Sequence, residues 1–380
     1  MRITKIETIP IKHYLFVKVY TDEGIVGLGE AGNWGFLDAT RGAIEKLADF
    51  LIGEDPRKIE WHFQNMYRAM YFRGSVIMSA ISAIDIALWD IKGKWLGVPV
   101  YELLGGKIRD RVRTYASGFS SQSIEEMVQG VKQLQKDGFN AAKIFLSEPD
   151  GDPTGKKEYF SSKIELNLEK VRRCREAVGT DFDLILEIHR SMTLPEALVF
   201  ANEVKKYRPF ALEDPITPDT PDQMGWLAEK IDIPITTGER FINLSEFETL
   251  LSRKGALYIR PDVCAVGGIT TVKKICGLAE AHNISVIPHN PLGPVSTAAC
   301  LQICASVSNV AIQELPDFCL NGKEDAMIVD PLQIESGCLV VPDRPGIGIE
   351  LTEDAQSLFP PKDRATKGAK RSFDGSLLDF

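Results

Sequence analysis

Three glutamates of the 380-residue chain recur in step: Glu187, Glu213 and Glu239 lie 26 residues apart. Each follows a short apolar run: Leu184-Ile185-Leu186, Phe210-Ala211-Leu212 and Ile235-Thr236-Thr237-Gly238. A step of that length is one strand plus one helix, which brings three carboxylates to the same rim of a β/α barrel. Unpaired, such a cluster is strongly repulsive. A divalent cation resolves the repulsion, and three carboxylate oxygens that leave room for water and substrate suit Mg²⁺.

The chain has five histidines, and two of them fall near this rhythm. His189 stands two residues after Glu187, so continued strand alternation points both side chains to one face. His289 follows Ser285-Val286-Ile287-Pro288 at another strand end, and Asp262 occupies the matching position 27 residues earlier. A carboxylate beside an imidazole fixes its tautomer and raises its basicity, as a general base requires. Glu314, 25 residues beyond His289, is a further rim acid. The chemistry these types can do together is specific. His289 removes the proton α to a carboxylate, the cation stabilises the enediolate, and His189 protonates a departing hydroxyl. That is loss of water from a hydroxy acid. His13, His62 and His282 read as packing, surface or capping residues.

The elements that must carry these groups are legible as a change of rhythm. Residues 1–30 read as a β-meander, with Phe16–Tyr20 and Ile25–Glu30 as strands about an Asp22-Glu23-Gly24 turn. Helical patterns follow over 38–51, 57–71 and 77–94, the last with Ile77, Ile81, Ile84, Leu88 and Ile91 in a stripe. From Arg111 short apolar runs alternate with amphipathic stretches. Strands are expected at Val112–Ala116, Ala141–Phe145, Leu184–Ile188, Phe210–Leu212, Ile235–Thr237, Leu257–Arg260, Ser285–Ile287 and Val310–Gln313. Eight strands with helices between them predict an α/β barrel rather than an open sheet. After Pro316 alternating strands resume, as if returning to pack on the first block. The expected organisation is therefore 1–110, 111–320 and 321–380.

Composition excludes other classes. Hydrophobic residues make up 44% and charged residues 26%, the balance of a folded globular protein. A net charge of −9 argues against nucleic acid or an anionic membrane as partner. The seven cysteines are odd in number and lack paired C-x-x-C spacing, which fits a reducing compartment. The start reads as no signal peptide, and the apolar stretch Ser75–Val100 carries Asp85, Asp90, Lys92 and Lys94. The expectation is a cytoplasmic protein with a small-molecule partner.

Three segments resemble one family: Met78–Lys94, the run from Glu187-Ile188-His189 to Leu212-Glu213-Asp214-Pro215, and Pro261-Asp262 through Gly267-Gly268-Ile269-Thr270 to His289-Asn290-Pro291-Leu292-Gly293-Pro294. They look like the enolase superfamily, mandelate racemase subgroup, and most like acid-sugar dehydratases of the D-galactonate dehydratase type. The resemblance covers nearly the whole chain. It implies a modified (β/α)₇β TIM-like barrel with an α+β capping domain built from both termini. It implies Glu187, Glu213 and Glu239 as Mg²⁺ ligands, His289 with Asp262 as base, and His189 as acid. It also implies Glu314 and Lys143 near the substrate carboxylate, and even-numbered homo-oligomers by analogy. Trp34, in the loop Ala31–Leu37, and Arg73 are candidate substrate contacts from the cap. Two positions depart from the pattern. Glu187 stands where the family usually has Asp, and Phe145 replaces the second, catalytic lysine of a Lys-x-Lys pair, which disfavours a lysine-based racemase. The implied reaction is dehydration of an aldonic or aldaric acid to its 2-keto-3-deoxy product. A cycloisomerase or epimerase sharing the enediolate half-reaction is the alternative, and a non-catalytic binding protein a third.

Overall fold

The computed structural model describes residues 1–69, 71–119, 123–146, 159–316, 319–320, 322, 324–362, 370–371 and 375–378. The Gly-, Pro- and Asp-bearing stretch 147–163, whose composition predicts a loop after the second barrel strand, falls outside them up to position 158, as do most of the polar last twenty residues.

Three antiparallel strands, β1 (Ile3–Ile11), β2 (Tyr14–Thr21) and β3 (Val26–Ala31), open the chain as the alternation predicts. The helices α1 (Leu37–Ala48) and α3 (Ser75–Leu96) cover one face of that sheet, and α2 (Ile59–Ala69) packs on α3. Helix α3 is apolar on nearly every side: Ile81, Ile84, Leu88 and Ile91 are fully buried, and so are Ser82, Asp85 and Asp90. A helix buried all round is sandwiched, here between the meander on one side and the barrel on the other. Its approach to β3 is set by glycine. A Cβ on Gly29 would collide with the carbonyl oxygen of Ala83.

A one-turn helix, α4 (Val100–Leu103), leads to the barrel. The eight parallel strands are β4 (Arg111–Phe119), β5 (Ala141–Phe145), β6 (Asp183–Glu187), β7 (Ala211–Glu213), β8 (Ile235–Thr237), β9 (Tyr258–Ile259), β10 (Ser285–Val286) and β11 (Gln313–Leu315). They pair in chain order, and β11 closes on β4 with Glu314 opposite Tyr115. Among the described residues seven α-helices connect them: α5 (Ile124–Lys136), α6 (Phe160–Val178), α7 (Leu194–Val204), α8 (Pro221–Lys230), α9 (Leu244–Ser252), α10 (Gly268–Ala281) and α11 (Pro294–Ser306). The result is the (β/α)₇β barrel. The last strand begins three residues later than the apolar run Val310–Gln313 suggests. Val310 itself bridges to Val286 and helps join the final strand to its neighbour.

The segment beyond the barrel divides its contacts. Its hairpin, β12 (Ile334–Glu335) with β13 (Cys338–Val340), adds antiparallel to β4 rather than to the meander. Residues 346–362 then reach the first block: Val100 N–H donates to Gly346, Lys12 N–H to Phe359, and Lys362 N–H back to Lys12. All seven cysteines are free, five of them buried. Among the described residues no helix is long and apolar enough to cross a membrane.

Candidate active site

Period two along the barrel strands layers the lumen. Tyr115, Ala141, Ile185, Ile287 and Ile312 form a buried apolar cluster. Two residues further up their strands stand Lys143, Glu187, His289 and Glu314, so one step converts an oily floor into an ionic site.

Glu187, Glu213 and Glu239 each offer a carboxylate oxygen, and these oxygens lie within 4.8 Å of one another. The charges around them are more elaborate than spacing suggests. Lys143 is buried and its Nζ reaches Glu213 (2.9 Å), Glu314 (2.9 Å) and Glu187 (3.2 Å). Lys143 thus ties two of the three rim glutamates to the last strand. Arg260, fully buried, donates to Glu314 through Nη2 (2.5 Å) and to the Tyr115 hydroxyl through Nη1 (2.5 Å), and its Nε lies at ion-pair distance from Glu213 (3.1 Å). Arg190 bonds Glu239 (2.9 Å) and Asp214 (3.1 Å).

The electrostatic consequences differ by residue. Burial and the adjacent Glu213 push the Glu187 carboxyl well above its ordinary range, despite Lys143. For Glu239 burial acts in the same direction, but His289 and Arg190 outweigh it and hold the group at about 2. Glu314 is likewise held well below its ordinary value, against burial, by Lys143 and Arg260. It is an ionised acceptor, fixed also by the Asn290 N–H at 2.8 Å.

Whether this set fits a divalent cation is tested by what is left unsatisfied. Glu213 Oε2 is buried and has no hydrogen-bond partner among the described residues. An orphaned anionic oxygen beside two further carboxylates is costly unless a cation meets it. The residues fit a hard divalent ion, with one carboxylate oxygen from each of Glu187, Glu213 and Glu239.

His289 Nδ1 lies 2.8 Å from Asp262 Oδ2, and its Nε2 faces Glu239 Oε2 at 3.3 Å. Burial would lower the imidazole pKa, but Glu239 and Asp262 overcome it and raise it. Asp262 is steadied in turn by the Cys264 N–H (2.8 Å), and Asp262 and His289 bridge as neighbouring parallel backbones. His189 reaches the site differently from the expectation. Strand β6 stops at Glu187, and His189 and Arg190 take left-handed conformations (φ 51° and 63°), so alternation does not place the imidazole. A turn places it instead: the His189 N–H donates to Glu187 Oε1 at 2.7 Å and the Arg190 N–H to the Asp214 carbonyl at 2.8 Å. Two consecutive non-glycine residues there, with Asp214 at φ 40° on the next strand end, are backbone strain of the kind held at functional sites. Arg190 Nη2 lies 3.1 Å from His189 Nε2. Burial and this guanidinium lower the His189 pKa to about 4.

Of the cap residues, Trp34 is partly buried against the main core. Arg73 is exposed, its guanidinium 4.1 Å from the Tyr67 ring and bonded to the Tyr67 hydroxyl. The described contacts of Arg73 are to Tyr67, not to the rim. Three site members escaped the sequence reading: Arg190, Arg260 and Asp214. Arg260 had a signal, because it precedes Asp262 by two and so shares its face. Arg190 and Asp214 had none, since each directly follows or abuts a group already assigned.

A capped (β/α)₇β barrel with a three-carboxylate rim and an Asp–His pair defines a class of enzymes that form enolates from carboxylate substrates. The particular family follows from comparison. Residues 3–105 match the mandelate racemase / muconate lactonizing enzyme N-terminal domain, and residues 126–355 the enolase C-terminal domain-like family. The D-galactonate dehydratase of Pectobacterium atrosepticum is 36% identical over 368 residues, covering 93% of each chain. That of Ralstonia nicotianae is 36% identical over 361 residues with the same coverage. A crystal structure from Agrobacterium radiobacter, a proposed galactarate dehydratase with sodium and L-malate bound, superposes with a TM-score of 0.91 at 29% identity over all of both chains. The protein belongs to the enolase superfamily, in its mandelate racemase and muconate lactonizing enzyme group, near the D-galactonate dehydratases.

Proposed function

We propose that this enzyme is a Mg²⁺-dependent dehydratase of a galactonate-like aldonic or aldaric acid, forming the 2-keto-3-deoxy acid. At the family level the activity is that of an acid-sugar hydro-lyase working through an enediolate. The observation that carries the finer reading is the Asp262–His289 pair set 3.3 Å from one member of the carboxylate cluster. A base is useful beside that cluster only if the proton it takes lies α to a carboxylate bound there.

Glu187, Glu213 and Glu239 would hold the cation, which supplies Lewis acidity to the substrate carboxylate. The remaining work falls to the chain. Lys143 and Arg260 bring fixed positive charge beneath the position where a dianion develops, in a site too buried to lose it to water. His289 accepts the α-proton at Nε2 while Asp262 stabilises the imidazolium through Nδ1. His189, once protonated from solvent, gives that proton to the departing 3-hydroxyl, which leaves as water. With Arg190 donating to its ring, the imidazole rests neutral.

The Arg190 contact, which lowers the His189 pKa, also favours the alternative, an epimerase in which His189 is a second base. The deciding experiment is a screen of purified protein with Mg²⁺ against aldonic and aldaric acids, scoring keto-deoxy acid formation, with His189→Asn and His289→Asn in parallel. A dehydratase gives a product abolished by EDTA and by H289N, while H189N still exchanges the α-proton with solvent deuterium. An epimerase gives no keto acid, and H189N loses exchange from one stereoisomer only.

A further inference from the structure

The loops bearing Asp262 and His289 each run into a helix, α10 and α11, whose N-cap residue is a glycine, Gly267 and Gly293, with no side chain to accept the first amides. A helix start leaves such N–H groups unsatisfied until something caps them. Here the acceptors come from the first block of the chain. For α11, Glu30 of β3 accepts the Gly293 N–H at Oε1 (2.6 Å) and the Ser296 N–H at Oε2 (2.8 Å). For α10, Ser82 Oγ accepts the Gly267 N–H (2.8 Å), and Asp85 accepts the Thr270 N–H (3.0 Å) and hydroxyl (2.5 Å). The Gly32 N–H donates to the Cys264 carbonyl (3.1 Å), inside the Asp262 loop. Glu30, Ser82 and Asp85 are all buried. The glycines admit them: a Cβ on Gly293 would stand 2.6 Å from Glu30 Oε1, and one on Gly268 would strike the Asp85 carboxylate.

We propose that Glu30 and Asp85 are positioning residues for the base: the cap terminates the two helices behind Asp262 and His289, and so sets the register of one against the other. The proposal rests on reading that pair as the proton acceptor, but the geometry it concerns is independent of substrate. The three rim glutamates sit at the ends of β6, β7 and β8, outside these two loops, so cation binding should not depend on the caps.

The test uses Glu30→Gln and Asp85→Asn in the full-length protein with Mg²⁺, against Asp90→Asn as control. Asp90 is an equally buried cap carboxylate that accepts two amides, from Leu28 (2.9 Å) and Ile347 (2.8 Å), neither at these helix starts. The first readout is the His289 Nδ1–H resonance by NMR on histidine-labelled protein, identified by its loss in H289N. E30Q and D85N should shift or broaden it and slow α-deuterium exchange about tenfold or more through misplacement of the base. Mg²⁺ affinity by calorimetry should stay unchanged, and D90N should alter neither signal nor exchange. An unmoved resonance in E30Q and D85N, or an equal disturbance in D90N, overturns the proposal. If E30Q does not fold, D85N decides. If the unmodified protein exchanges no acid sugar, the functional reading fails, while the resonance alone still tests the positioning.

Discussion

At the scale of the residue the site is a balance of buried charge. Four basic groups, Lys143, Arg190, Arg260 and His289, face the carboxylates of Glu187, Glu213, Glu239 and Glu314. One oxygen, Glu213 Oε2, is left over. Glu213→Gln should therefore weaken Mg²⁺ binding about tenfold or more, measured by calorimetry; an unaltered affinity would place the cation elsewhere. His289 carries a second prediction. Its pKa is raised above 6.5 by Glu239 and Asp262 against burial. The proposed base is neutral only above that pKa, so kcat/KM should rise with pH along a limb lying above about 6.5. Replacing Asp262 by Asn removes one raising charge, so the limb should move to lower pH while the maximum rate falls. A limb that stays in place in D262N would mean Asp262 does not act on the imidazole.

The elements show why such groups can be held at all. Four of the barrel strands place an apolar side chain inward (Ala141, Ile185, Ile287, Ile312) and a charged or titratable one two residues later (Lys143, Glu187, His289, Glu314). A single residue step in register would reverse that order. The cap depends on a close approach instead. Gly27 and Gly29 of β3 lie against α3, with no room for a methyl group between Gly29 and the Ala83 carbonyl. Gly29→Ala should force the strand and helix apart and cost about 1–3 kcal/mol, read by denaturant unfolding. Retention of full stability would mean the sheet shifts freely over α3.

Across the whole molecule, cap and barrel meet through buried acids, and this gives the fold a pH dependence. Burial raises Glu30 to about 8, against two amide donors that favour its anion. A carboxyl whose folded pKa is raised binds its proton more tightly folded than unfolded. Its stabilising contribution is complete below the ordinary value of about 4 and is lost as pH rises through about 8. Gln at position 30 cannot titrate. The melting temperature of E30Q relative to the unmodified protein should therefore improve steadily between about pH 5 and pH 9. A constant difference across that range would mean that Glu30 does not titrate there.

The amino-acid sequence by itself determined the barrel, its β/α rhythm, the three rim glutamates and the pairing of Asp262 with His289. These all follow from periodicity: equal spacing puts equal positions at one rim, and adjacent strands bring adjacent ends together. What periodicity cannot express, only the tertiary structure decided. Arg190 and His189 reach the site through a left-handed turn where strand alternation has already stopped. Lys143 and Arg260 are counter-ions to groups on other strands, and their partners are set by barrel closure. Glu30 and Asp85 stand 263 and 185 residues from the helix starts they cap. A helix that begins on glycine states in the sequence that its amides need an acceptor. Which distant carboxylate supplies it is fixed only when the cap packs down on the barrel.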